Sequence, residues 1–123
     1  MLMKILFLED DNFNREIITE HLILWGYEVC ALPDGQGFLQ SLSEFQPDLI
    51  LLDLKLPQID GFTLIEKLRQ SQWKELPVVV LSAYAFSAEK KRAQMLGVRR
   101  FLVKPTTPRE IRRVIQAELE TQG

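Results

Sequence analysis

One cysteine and one histidine are all that the 123 residues offer toward zinc or thiol chemistry beyond their carboxylates. Cys30 has no second cysteine to pair with, so an internal disulfide is excluded. The lone thiol fits a reducing cytoplasm, the expected location, and its expected role is that of a small buried hydrophobe. His21 has no second His or Cys to join it in a zinc site, and its place on or beside an apolar helix stripe predicts a structural role. No apolar run is long enough to cross a membrane. The opening run Met1 to Leu8 stops at Glu9-Asp10-Asp11, too short for a signal-peptide core and without a small-residue cleavage site. No glycine-rich loop follows the first apolar run, which argues against a nucleotide or flavin binder. Internal repeats, low-complexity tracts and linkers are also missing.

What is present is a core. Apolar residues make up 46% of the chain, enough for one domain and too many for a disordered one. The most informative stretch is Pro47 to Pro57. After Pro47-Asp48 come Leu49-Ile50-Leu51-Leu52 without polar alternation, then Asp53. A short unbroken apolar run reads as a strand buried on both faces. Similar runs occur at Lys4 to Leu8, Val78 to Leu81 and Phe101 to Val103, and Tyr27 to Leu32, with Glu28 inside it, reads as a further strand. Between them lie helical spacings: Ile17, Ile18, Leu22 and Trp25; Phe38, Leu42 and Phe45; Phe62, Ile65 and Leu68; a weakly patterned stretch from Phe86 to Leu96; and Ile111, Val114, Ile115 and Leu119. Asp11 or Asn12 is available to cap the first helix, and Thr107-Pro108 starts the last. Strict alternation of strand and helix predicts an α/β fold with a parallel sheet and helices on both faces.

The polar residues at the carboxyl ends of these strands form a set: Glu9 and Asp10, Asp53, Ser82 and Lys104. Ligands of open parallel sheets bind at that edge, and strand order 2-1-3-4-5 would put the crevice between strands one and three. Three close carboxylates repel one another, so either a proton is retained at raised pKa or a cation neutralises them. Oxygen donors without His or Cys suit Mg²⁺ better than Zn²⁺. An ammonium and a hydroxyl beside them suit a phosphoryl group, with Asp53 as nucleophile.

These residues carry a resemblance. Lys4 to Asp11, Leu49 to Asp53 with Leu56-Pro57 and Asp60-Gly61 behind it, Val80 to Ala83, and Lys104-Pro105 resemble the receiver domains of bacterial two-component response regulators, over essentially the whole chain. The resemblance implies a doubly wound, flavodoxin-like (βα)5 fold and a single receiver domain over residues 1–123, expected to carry no output domain. It implies that Asp53 accepts a phosphoryl group from a histidine kinase or histidine phosphotransfer protein. Asp10 would bind Mg²⁺ directly, Glu9 through water, and the Lys55 backbone carbonyl would complete the protein ligands. Ser82 and Lys104 would engage the phosphoryl group, Lys104-Pro105 would be cis, and Phe101 would be the aromatic that turns inward with Ser82. Lys55 and Tyr84 would flank the phosphoryl position. The expected protein is a phosphoacceptor that assists its own phosphorylation and dephosphorylation, not a turnover enzyme. A small aspartyl-phosphate phosphatase and a phosphorylation-independent binding module are the competing readings. The phosphatase usually needs an acid shortly after the nucleophile, where Lys55 stands.

Departures from the family pattern are Glu9 where Asp is common, Ser82 where Thr is frequent, Phe101 in place of Tyr, Arg99-Arg100 where small or acidic residues are usual, and Thr106 where an aromatic is frequent. The charges are also unevenly spread. Residues 1–60 hold three Lys/Arg against eleven Asp/Glu, and residues 61–123 hold twelve against six. The face expected from residues 90–113 is basic, the predicted docking surface for an acidic downstream protein. No element that would read DNA follows, so direct DNA binding is not expected.

Overall fold

Prolines and capping acids divide the chain where the apolar pattern changes period. The computed structural model describes residues 2–83 and 86–122; Tyr84 lies outside the described residues. Its elements are β1 (Lys4–Leu8), α1 (Asn12–Leu24), β2 (Glu28–Leu32), α2 (Phe38–Phe45), β3 (Leu49–Asp53), α3 (Gly61–Arg69), β4 (Val78–Ser82), α4 (Ser87–Met95), β5 (Arg100–Val103) and α5 (Pro108–Gln122). The five strands are parallel, in order β2-β1-β3-β4-β5. This is the doubly wound order, with its switch point between β1 and β3.

Local chemistry explains the boundaries. Asp11 is the N-cap of α1, its carboxylate accepting from the Asn14 N–H at 2.8 Å. Asp60 caps α3 in the same way through the Thr63 N–H at 3.0 Å. Gln46 ends α2 in the left-handed region at φ 53°, its N–H donating to the Leu42 carbonyl, and Pro47 after it bars further helix. Tyr27 and Phe86, expected inside a strand and a helix, instead stand just before them: Phe86 is the N-cap of α4, and Leu96 follows that helix. Element ends are where backbone pairing is weakest.

Alternation along the strands sends side chains to two cores. Leu6, Leu8, Ile50, Leu52, Val78 and Val80 pack under α2, α3 and α4. Ile5, Phe7, Leu49, Leu51, Val79 and Leu81 pack under α1 and α5. Every residue of β3 and β4 is buried, as an all-parallel centre requires. The weak patterning of α4 has its counterpart here, since Ala93 is its one buried residue. Cys30 is half-buried against the first core, and burial raises its thiol pKa. His21 is structural: its Nδ1 lies 2.9 Å from the Ile17 carbonyl and its ring 5.6 Å from that of Trp25. No helix among the described residues is long and apolar enough to cross a membrane.

Candidate functional site

The sheet register brings the predicted site residues together. Leu8 pairs with Leu52, Asp53 with Leu81 and Ser82 with Val103. Glu9, Asp53, Ser82 and Lys104 therefore leave four adjacent strands at the same edge of the sheet, Glu9 level with Asp53, Ser82 one residue further along and Lys104 two. Main-chain bonds continue the ladder one step past the strands: the Lys104 N–H donates to the Ser82 carbonyl at 2.7 Å, and the Leu54 N–H to Leu81 at 3.1 Å. The Lys104-Pro105 peptide is cis, as the family pattern implied. Behind Asp53 the chain doubles back, and the Gly61 N–H donates to the Leu54 carbonyl at 2.8 Å. Only glycine fits there, because a Cβ would lie 2.7 Å from the Leu54 Cα.

Lys104 is the centre of the charge arrangement. Its Nζ donates to Asp53 Oδ2 at 2.7 Å and to Glu9 Oε1 at 2.8 Å. Both acids are buried, at 4% and 0% exposure. The remaining oxygens have main-chain partners: the Lys55 N–H donates to Asp53 Oδ1 at 3.0 Å, and the Asp11 N–H to Glu9 Oε2 at 3.2 Å. Asp10 is exposed at the mouth.

One ammonium does not balance this many carboxylates. Burial pushes the Glu9 carboxyl from the usual 4.5 to about 7; the Lys104 bond opposes that rise, and nearby Asp53 adds to it. For Lys104, burial lowers the pKa, but the bonds to Asp53 and Glu9 outweigh it and the net direction is up.

An oxygen from each of Glu9, Asp10 and Asp53 lies within 4.8 Å of the others. Oxygen donors alone, with a cation already drawn between two of them, fit Mg²⁺. Glu9, Asp10 and Asp53 are the residues that would hold it.

Ser82 is 1% exposed at the end of β4. Phe101 is half-buried against the first core, with Lys90 Nζ 6.0 Å from its ring centre. A cleft of about 340 Å³ opens beside Lys104, walled by Glu9, Asn14, Ala83 and Thr106.

The pattern of the sequence did not reveal Arg15. One guanidinium nitrogen donates to the Glu9 main-chain carbonyl at 2.9 Å and the other to Asn12 Oδ1 at 2.6 Å. Arg15 thus braces the segment carrying Glu9, Asp10 and Asp11 while leaving their carboxylates for other partners. Its principal partner is a backbone oxygen, which no side-chain motif marks. The available clue was its place as the single arginine among residues 1–60.

The comparisons with known proteins agree with this geometry. The response regulator receiver domain description matches residues 5–116. The transcriptional regulatory protein GltR of Pseudomonas aeruginosa is 34% identical over 94% of this chain and 48% of its own length. A probable transcriptional regulator, ycf27, of Galdieria sulphuraria is 31% identical over 94% of this chain and 45% of its own. The chain thus spans about half the length of the curated relatives it matches. Among solved structures, chemotaxis protein CheY4 of Vibrio cholerae superposes with TM-score 0.89 at 28% identity, covering 96% of this chain and 99% of that one. The receiver domain of sensor histidine kinase PA1611 of Pseudomonas aeruginosa, solved with a magnesium ion coordinated in its active site cleft, gives 0.87 at 27% identity, covering 98% and 99%. The fold order, the strand-end acids and the family match converge: this chain belongs to the response regulator receiver domains of two-component signalling.

Proposed function

We propose that Asp53 is the phosphoacceptor and that the donor is a phosphohistidine on a kinase or phosphotransfer protein. A carboxylate oxygen of Asp53 attacks phosphorus as the bond to the imidazole nitrogen breaks. The imidazole leaves with the bond's electron pair and takes up a proton, and an acyl phosphate forms on Asp53. The observation that carries this reading is the Lys104 ammonium, fixed on Asp53 at 2.7 Å by a buried Glu9. An ammonium so placed needs little reorganisation to meet charge developing on the phosphoryl oxygens. The Lys55 N–H orients the Asp53 carboxylate. Mg²⁺, when held by Glu9, Asp10, Asp53 and the Lys55 carbonyl, supplies charge neutralisation for the incoming phosphoryl group.

Ser82 and Lys104 then engage the phosphoryl oxygens, which biases the β4 and β5 ends, and Phe101 between them, toward a second packing. The chain acts as a carrier of one phosphoryl group, not as a phosphatase, because Lys55 stands where the second acid of such an enzyme would be. The phosphorylated state selects a downstream protein through the basic face of residues 90–113. The chain matches about half the length of the relatives named as transcriptional regulators, and no DNA-binding role is proposed for it.

The test is incubation with a small phosphodonor and Mg²⁺, followed by intact-mass measurement. The protein is expected to gain one phosphoryl group and Asp53→Asn none. Equal modification of the variant sinks the assignment.

A further inference from the structure

At the end of the sheet opposite Asp53 lies a third buried carboxylate. Glu118 of α5 is 1% exposed. Arg99 donates from Nη2 to its Oε1 at 3.1 Å, and Arg100 from Nε to its Oε2 at 3.3 Å. Both oxygens of one carboxylate are thus taken by two consecutive arginines whose side chains remain 51% and 36% exposed. One acid cancels one of the two charges. The rest of the pair is an exposed cation whose long side chains are already held in place.

The surroundings do not complete the neutralisation. Residues 86–117 contain nine Lys/Arg and two acids, Glu89 and Glu110, and Glu110 is paired with Arg113. Beside Arg99 is a cleft of about 440 Å³, with Met95 on its wall. Glu75 lines the cleft, but Lys74 and Arg69 line it too, so the excess there stays positive. Arg69 is spent on the main chain, donating to the carbonyls of Leu96, Lys74 and Leu76. Met95 is 80% exposed, so an apolar contact lies next to the free charge.

Three occupants compete. A second copy with its two-fold axis through this patch would set arginine against arginine, and one seated off the axis would have to bring an acidic surface of its own. A nucleic acid rewards charges spread along a phosphate track, and pinning by a buried acid adds nothing to that attraction. A carboxylate side chain rewards a guanidinium fork whose rotamers are already fixed, and an apolar neighbour has Met95 to meet. We propose that Arg99 and Arg100, pinned by Glu118, are the anchor for an acidic, partly apolar segment of a protein partner. This rests on the reading of the basic face as a docking surface and names the part that fixes the partner.

Glu118→Gln separates pinning from charge, because it removes a negative charge, keeps the shape and releases the arginines. The probe is a labelled synthetic peptide of alternating Asp/Glu and Leu, followed by fluorescence anisotropy against the full chain. Glu118→Gln is expected to weaken binding about tenfold although the net charge becomes more positive. The double variant R99K/R100K, which keeps the charge and loses the fork, is expected to weaken it similarly. Arg92→Ala, whose guanidinium sits on Glu66 and the Phe62 ring, is expected to change nothing. Circular dichroism and modification of Asp53 by a small phosphodonor verify that each variant is folded and that the phosphoacceptor reading stands apart from this one. Tighter or unchanged binding by Glu118→Gln, full binding by R99K/R100K, no binding by the parent chain, or tighter binding of a duplex oligonucleotide overturns the proposal.

Discussion

The two ends of the sheet use the same ion-pair chemistry with opposite excess. At the carboxyl ends of the strands, one lysine bridges two buried acids, with exposed Asp10 beside them. Near the start of β5, two arginines share one buried acid. A buried acid left without its partner costs far more than an exposed one, so each centre is built to hold its carboxylates down. What remains after pairing differs: negative charge at one end, which calls for a metal cation, and positive charge at the other. The excess charge, more than the number of pairs, sets what each end can receive.

The comparison breaks most severely at its pivot. Lys104→Met leaves Glu9 and Asp53 facing each other without an ammonium, and in metal-free buffer it is expected to cost about 3–5 kcal/mol. Mg²⁺ should restore part of that loss, as urea denaturation with and without the ion will show. At the other end Arg99→Ala leaves Arg100 on Glu118, so the loss there should be clearly smaller.

Next in size is a pH effect confined to the acidic end. The folded Glu9 carboxyl titrates at about 7, above its usual 4.5. Retaining that proton stabilises the fold fully below about pH 4.5, and the contribution is lost as pH rises to about 7. Metal-free protein should therefore show this component of stability declining across that window, while Mg²⁺ affinity rises across it as the proton leaves. Denaturation midpoints and Mg²⁺ titrations at stepped pH measure both, and a Glu9→Gln variant should lack the stability component.

Arg15 gives a smaller, sharper contrast. Coulomb attraction alone predicts that removing a positive charge beside the acids tightens Mg²⁺ binding. Loss of the brace on the Glu9 carbonyl and Asn12 predicts the reverse. Arg15→Met is expected to weaken Mg²⁺ binding about tenfold, measured by calorimetric titration. The smallest effect belongs to Arg113→Ala, which removes an exposed pair with Glu110 and should leave the denaturation midpoint unchanged.

The acidic end was the more legible in the sequence. Asp53 stands out because an unbroken apolar run ends at it, and Glu9, Ser82 and Lys104 end runs of the same kind. Parallel topology then delivers all four to one edge of the sheet without further information. The other end was opaque for a physical reason. Glu118 lies on a helix rich in charge, where a buried acid and a solvated one look alike, and its partners sit on β5 and the turn before it. Arg15 was hidden because its partner is a main-chain oxygen. The limits of α4 were indistinct because a helix that buries one alanine leaves little periodicity to count.

The most direct measurement is chemical trapping of the phosphorylated residue. Protein treated with a small phosphodonor is reduced with borohydride, which converts an aspartyl phosphate to homoserine, and the peptides are mapped by mass. The account predicts homoserine at Asp53 alone, in Mg²⁺-containing samples and not in metal-chelated ones. Reduction at another carboxylate, or equal reduction at Asp53 without the cation, would contradict it.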